Sequence, residues 1–345
     1  MVSAWSLLAL ASLALASPVK TIDDYARSLV SRDDVVTQST LDRLEYYVQY
    51  AAAAYCTVDV PVNSTIKCGG QCDELEGRDI RVLGTFFGDL TEISAFVAID
   101  DANKEIVFSV RGSKTVANWI ADLSFILVDT DLVDDGKVHQ GFATAWNELE
   151  RDVASTLKSA LASNPTYTVV STGHSLGAAV ATIGGAVLRA KYGIPLDLYV
   201  YGSPRVGNAV LADFITNQDG AEYRVTHTDD PVPRLPPIFF GYRHISPEYW
   251  LTSPAEDGDD YPLSDVVVCT GNANIDCNGG EIGVDTNAHL YYFGPISTTL
   301  CFSVNVTLDD LSVSLYTVTT ADGENAGVQI AQYAAKDKEF VELES

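Results

Sequence analysis

The chain has 345 residues, 47% of them hydrophobic and 20% charged, with a formal net charge of −26. That length and composition describe a globular chain able to bury a sizeable core, and they fit one large α/β domain with processed or appended ends. So acidic a chain argues against nucleic acid as a partner, because phosphate binding needs basic surface. It also disfavours anionic membranes while leaving neutral or zwitterionic interfaces open.

At the N-terminus, Leu7 to Leu15 is an apolar run, and Ala14-Leu15-Ala16 reads as an A-x-A cleavage site. The run is too short to span a bilayer and is read as a signal peptide occupying residues 1–17, although no Lys or Arg precedes it. Residues 18–32 are polar and mixed in charge, and read as a short propeptide cut near Arg32. Secretion is therefore expected. No later stretch is apolar and long enough for a membrane span, so stable membrane insertion is not expected. Cys56, Cys68, Cys72, Cys269, Cys277 and Cys301 form an even set, which in a secreted chain favours three disulfides with the pairing open. Asn63-Ser64-Thr65 and Asn305-Val306-Thr307 are glycosylation sequons.

Thr40 is expected to cap a helix from Leu41 to about Tyr55, with Ala51 to Ala54 marking close packing on a neighbour. Cys56 to Arg78 reads as a Gly- and Cys-rich loop. Strands are predicted over 92–99 and 106–110 with a hairpin turn between them, followed by a helix over 143–161. A β-branched and aromatic strand, 167–172, then leads into Gly173-His174-Ser175-Leu176-Gly177, and a helix follows over 178–191. Further strands are predicted over 196–201 and 222–226. This alternation implies an α/β domain, α/β-hydrolase-like, with a mixed and largely parallel central sheet flanked by helices. Beyond Cys301 the character changes: residues 302–345 hold eight acidic residues against Lys336 and Lys338. Val306, Leu308, Leu311, Val313, Leu315, Ile330 and Phe340 give that extension apolar groups to bury.

The G-x-S-x-G stretch carries the chemistry. A serine at a sharp strand-to-helix turn has its hydroxyl lifted clear of the backbone, with a helix N-terminus aimed at any developing anion. Such a serine needs a base, and histidine suits by its pKa; a carboxylate must then fix the imidazole. In this fold class the order is Ser, Asp or Glu, then His. His139 precedes the serine, His174 is pinned within the turn, and His227 leaves little room for an intervening acid. His244 and His289 remain as candidate bases. The proline-punctuated loop from His227 to Pro236 offers Asp229 and Asp230 as candidate acids, and position alone does not separate them. The backbone N–H of Leu176 faces the developing oxyanion.

With these residues in place, the chain resembles the filamentous-fungal extracellular lipases often called class 3. The matching motifs are Arg111-Gly112-Ser113-Lys114, Asn118-Trp119-Ile120, the serine turn, Tyr201-Gly202-Ser203-Pro204-Arg205-Val206-Gly207, Thr226-His227-Thr228-Asp229-Asp230, Pro233-Arg234-Leu235-Pro236-Pro237, Ser246-Pro247-Glu248-Tyr249-Trp250 and Ala288-His289-Leu290-Tyr291-Tyr292-Phe293-Gly294. They run in order through a catalytic domain of residues 33–301. The resemblance implies Ser175 as nucleophile, Asp230 as acid, His289 as base and Ser113 as the second oxyanion donor. It implies a lid over 115–122, where Val116, Trp119 and Ile120 recur at helical spacing; periodicity alone favours an ordinary core-packed helix there. It pairs Cys56 with Cys301 and Cys68 with Cys72, leaving Cys269 and Cys277 for a third bridge outside the family pattern.

The implied activity is a triacylglycerol lipase: acylglycerol ester hydrolysis at an oil–water interface through an acyl-enzyme, by a monomer without metal or cofactor. A feruloyl esterase on the same fold is the nearest alternative, and phospholipase activity is a second. A catalytically dead binding protein is disfavoured because every triad position holds a competent residue, and no D-x-D-x-D-G loop supports calcium binding. Residues 302–345 either pack near the substrate entrance and restrain the lid, or serve folding and secretion away from the chemistry.

Overall fold

Most strands of the central sheet are buried on both faces, so their side chains alternate between two separate apolar cores. The computed structural model describes residues 36–58, 60–68, 72–113, 119–120, 123–253, 261–296, 315, 318–320 and 323–344. They belong to one unit, Val36–Ser345; the signal peptide and propeptide expected in Met1–Val35 lie outside the described residues. The strands are β1 (Arg81–Phe87), β2 (Ser94–Asp100), β3 (Glu105–Val110), β4 (Leu127–Asp129), β5 (Lys137–His139), β6 (Thr168–His174), β7 (Leu196–Tyr201), β8 (Glu222–His227), β9 (Glu248–Leu251) and β10 (Val266–Cys269). The longer helices are α1 (Gln38–Thr57), α2 (Gln140–Ser163), α3 (Leu176–Tyr192), α4 (Ala209–Thr216) and α5 (Ala326–Glu344).

The main sheet has the order β1-β2-β3-β6-β7-β8-β9-β10, and β4 pairs only with β5. β3, β6, β7, β8 and β9 run parallel, while β1, β2 and β10 join antiparallel at the two edges. This is the mixed, largely parallel α/β-hydrolase-like sheet that the alternation of elements predicts. Ile106, Phe108 and Val110 of β3 face one core with Leu196, Leu198 and Val200 of β7; α2 and α3 complete that side. Val107, Val170, Tyr199 and Tyr201 face the opposite core, closed by α1. There the run Ala51 to Ala54 is fully buried, and its small side chains let α1 lie close on β6 and β7.

Element boundaries differ from expectation where a polar contact decides them. The first helix starts at Gln38, and its cap is Thr37 rather than Thr40, because Thr37 Oγ1 accepts the Thr40 N–H at 3.1 Å. β1 is not legible in the sequence: Gly84 breaks the alternation where the register against β2 shifts. The hairpin β4–β5 and the strands β9 and β10 are three or four residues long, too short to show a period. α5 is the largest unpredicted element. It turns the expected apolar content of the extension into a helix with Ala326 and Ile330 buried. Val306, Leu308, Leu311 and Val313 lie outside the described residues.

Trp146 of α2 illustrates how tightly the first core is filled. It is 1% exposed, meets Phe108 edge-on with ring centroids 5.9 Å apart, and abuts Gly184 of α3. Trp146→Ala should lower unfolding free energy by about 3–5 kcal/mol, read as a shifted denaturant midpoint at unchanged slope.

Candidate active site

The strand β6 ends at His174 and α3 begins at Leu176, which leaves one residue, Ser175, to make the turn. Its backbone sits at φ 59°, a left-handed conformation uncommon for a residue with a Cβ. The surroundings hold it there. Its N–H donates to the Tyr201 carbonyl of β7 at 2.9 Å, and its own carbonyl accepts the Ala178 and Ala179 N–H groups at 3.0 and 3.2 Å. The loop after β3 crosses directly over this turn. A Cβ at Gly177 would collide with the Val110 carbonyl, and one at Gly112 would lie 2.7 Å from the His174 carbonyl. Glycine is required at both by close approach rather than by φ. That crossing sets Gly112, the residue before Ser113, against the His174 carbonyl at the end of β6.

His289 closes the one-turn helix Thr286–His289. Its Nδ1 lies 2.8 and 3.0 Å from the two carboxylate oxygens of Asp230. With Nδ1–H donating to the carboxylate, Nε2 keeps its lone pair, the arrangement a general base needs. Asp230 also accepts the Tyr292 hydroxyl at 2.5 Å and the Val232 N–H at 2.8 Å. Burial and the Asp230 charge push the Tyr292 phenol well above its ordinary pKa, so it stays a donor. Ser175, Asp230 and His289 are all 0% exposed, and Ser175 Oγ and His289 Nε2 are buried without a hydrogen-bond partner. Two unpaired groups in a site without solvent access are costly, and each such exception calls for a physical reason.

Of the alternatives left open by the sequence, Asp229 and His244 lie elsewhere. Asp229 turns its carboxylate toward Gly283, and its carbonyl accepts from Arg234 at 2.8 Å. His244 donates to the Pro233 carbonyl at 2.6 Å, and burial holds its pKa well below the ordinary imidazole value. His139 caps α2. His174 and His227, set aside as catalytic candidates, brace the His289 turn. His174 Nε2 donates to the His289 carbonyl at 2.8 Å while its Nδ1 accepts from Tyr55 at 2.9 Å, and the two imidazole centroids are 4.5 Å apart. Burial keeps His174 neutral, which this single tautomer requires. His227 lies 2.9 Å through Nδ1 from the Ala288 carbonyl and 2.8 Å through Nε2 from that of Ser253.

The third bridge, Cys269–Cys277, is present and so is Cys68–Cys72. Cys56 is disulfide-bonded, and its expected partner Cys301 lies outside the described residues. Cys269–Cys277 has a local consequence. It anchors the turn carrying Asn278, whose amide donates to the Thr228 and Asp230 carbonyls, each at 3.0 Å. Asn278, Tyr292 and Tyr55 escape sequence reasoning, since nothing in their local pattern announces such distant partners. Tyr292 alone leaves a trace, through its place in the Ala288 to Gly294 motif. Of the expected lid, Val116 lies outside the described residues. Trp119 stacks on Phe142 at 6.4 Å, and Ile120 is buried. Asn63 is exposed in a turn, while Asn305 lies outside the described residues. Among the described residues the grouping with metal-ligand spacing is Cys68, Cys72 and Glu76, and its two sulfurs are committed to a disulfide.

Comparisons with known proteins agree with this geometry. A family model described as lipase (class 3) matches residues 107–240. Over 337 residues, 97% of each chain, the protein is 46% identical to secreted mono- and diacylglycerol lipase 1 of Fusarium solani. Among solved structures, a mutant form of MDLA from Penicillium cyclopium is 40% identical with a TM-score of 0.71, covering 78% of this chain and all of that one (its share is 100%). A triacylglycerol lipase whose catalytic centre is described as a serine protease triad is 33% identical with a TM-score of 0.68, over 77% of this chain and 98% of that one. A serine held at a left-handed turn, an imidazole held on a buried carboxylate, and identity sustained along the whole chain place the protein in the class 3 lipase family.

Proposed function

We propose that Ser175, Asp230 and His289 form the catalytic triad of an acylglycerol ester hydrolase. The observation that carries the reading is the pair of buried, unpaired atoms, Ser175 Oγ and His289 Nε2, beside an Asp230 carboxylate that holds Nδ1. His289 Nε2 takes the hydroxyl proton as Ser175 Oγ attacks the ester carbonyl. The carbonyl oxygen becomes an oxyanion, held by the Leu176 N–H and by Ser113. Nε2 then returns the proton to the departing glycerol oxygen, leaving an acyl-enzyme that water cleaves by the same steps. Tyr292 acts one step removed: its hydroxyl donates to the Asp230 carboxylate and holds it in place.

Acyl-group selection belongs to the finer reading. The sequence resemblance points to triacylglycerol, whereas the Fusarium and Penicillium relatives are named for mono- and diacylglycerol. We favour the partial glycerides, because that name accompanies the higher identity over the greater share of the chain. Secretion fits the same relatives, which are named as secreted, and the disulfides of the domain.

With the triad fully buried, we take the segment that includes Trp119 and Ile120 as the lid whose movement admits substrate. Exposing apolar surface costs about 25 cal/mol per Å2 in water, a cost that an oil surface removes.

Three outcomes follow. Ser175→Ala, Asp230→Asn and His289→Ala should each leave a folded protein and lower kcat by on the order of 10^4-fold or more, with the double variants no worse than the singles. An active, folded Asp230→Asn protein would refute the acid assignment. Tyr292→Phe should lower kcat about tenfold with KM little changed, as expected when one hydrogen bond to a charged group is lost. A pH-stat panel of emulsified monoolein, diolein, triolein, phosphatidylcholine and methyl ferulate should rank diolein and monoolein first. Triolein at the head would reinstate the triacylglycerol reading, and methyl ferulate at the head would make the protein a feruloyl esterase.

A further inference from the structure

The helix α5 presents one stripe to the body of the protein: Ala326, Ile330, Tyr333, Asp337 and Phe340, spaced as successive turns of one face. Four of the five are apolar or aromatic, and the fifth is a carboxylate that is 1% exposed. Asp337 Oδ2 accepts from Arg205 Nη1 at 3.1 Å, and its Oδ1 accepts from the Phe239 N–H at 3.1 Å. The same Arg205 nitrogen donates to the carbonyls of Arg234 and Pro236, in the loop that follows Asp230. The carboxylate therefore plugs into a guanidinium that already organises the acid loop. The apolar part of the stripe closes a cluster in which Ala326 and Ile330 meet Ile120 from the lid segment and Val232 and Leu235 from the acid loop. Tyr333 lies between Phe125 at 6.0 Å and Phe239 at 5.8 Å.

This arrangement has a physical logic that a mere folding aid does not require. An apolar stripe alone would hold the helix by area and tolerate sliding. A buried carboxylate forbids sliding, because off its partner it is an unpaired charge in an apolar setting, and so it fixes one register. It also makes docking all-or-none. Moreover, Ile120 shares one buried cluster with Val232 and Leu235 and with Ala326 and Ile330 of the helix, so moving Ile120 out while the helix stays would break apolar packing with it. The surface beneath the helix is aromatic and apolar, of the kind that meets neutral lipid, whereas the exposed Glu339 and Glu342 on the helix suit water.

We propose that the Ala326–Glu344 helix is an autoinhibitory strap, locked by the Arg205–Asp337 pair, and that its release frees the Trp119–Ile120 segment and bares the surface that docks on neutral lipid. The inference rests on the lipase reading above, and it concerns a control acting on that site.

The test uses the full chain with Asp337→Asn, which unmakes the pair, and Ile330→Asp, which puts a charge into the apolar cluster. Three quantities are read: hydrogen exchange of residues 326–344, hydrolysis of p-nitrophenyl butyrate below its solubility limit, and hydrolysis of emulsified diolein. Exchange of the helix should accelerate in both variants. The emulsion rate should rise by about tenfold or more, since leaving one partner of a buried pair unpaired shifts an opening equilibrium by at least that factor. The soluble-ester rate should stay within about twofold of the parent, because without an interface the apolar lid still prefers to remain shut. A released helix with an unchanged emulsion rate overturns the proposal, as does a helix that stays protected in both variants. Absence of any ester hydrolysis by the folded parent and by both variants, on soluble and emulsified substrate alike, would instead count against the lipase reading, which separates the two.

Discussion

Everything in this structure depends on the backbone being able to turn through Ser175 within one residue. A side-chain-bearing residue at φ 59° is held there only if its neighbours leave no alternative. Here the Tyr201 carbonyl fixes the serine N–H, and the loop after β3 presses down so closely that Gly112 and Gly177 have no room for a Cβ. The sheet supplies this pressure because β3, β6 and β7 are adjacent and parallel, so their C-terminal ends come out side by side. Ligands in open α/β sheets are met at that edge. Strain at the serine, the close approach of the loop after β3 and the site's position in the sheet thus share one cause.

The base is held in a different way. His289 closes a single helical turn, an element too short to be rigid alone. Its rigidity comes from carbonyls on both sides being held by imidazoles: His174 on the carbonyl of His289, His227 on that of Ala288. Below them, Asp230 is positioned by Val232, Tyr292 and the bridge-anchored Asn278. Each of these partners is buried, and in a dry setting a satisfied network is stiff while a half-made one is expensive. The site is accordingly prepared before substrate arrives, which is where electrostatic catalysis draws its strength.

The family motifs outside the triad are largely braces for this preparation. Arg205 collects the Arg234 and Pro236 carbonyls, and Arg234 in turn reaches the carbonyls of Asp229, Glu281 and Gly283. Arg224 pairs with Glu248 at 2.9 Å across β8 and β9, where Glu248 also accepts the Thr226 hydroxyl. These guanidiniums hold an irregular chain whose carbonyls would otherwise be buried unpaired. Burial pulls the Arg205 pKa down to about 10, so it remains charged at neutral pH and can both bind carbonyls and receive Asp337. A charge installed to organise the acid loop has in this way become the anchor for the C-terminal helix.

The sequence by itself determined the sheet class and the serine turn, and pointed to an acid and then a histidine downstream of that serine. Those features rest on local period and local turn chemistry, and the strand over Leu196–Tyr201 matches its expected limits. It left Asp229 against Asp230 and His244 against His289 undecided, and only the resemblance to a family spoke on them. Tertiary structure brings one member of each pair together: Asp230 and His289, 59 residues apart, meet at 2.8 Å, while Asp229 faces Gly283 and His244 faces Pro233. It also turned His174 and His227 from discarded candidates into supports, showed the third disulfide holding Asn278, and docked α5 through a carboxylate at a separation of 132 residues. The reason is common to all of these. Period and turn chemistry are written within a few neighbouring residues, whereas a hydrogen bond between distant segments depends on where a whole sheet has carried them.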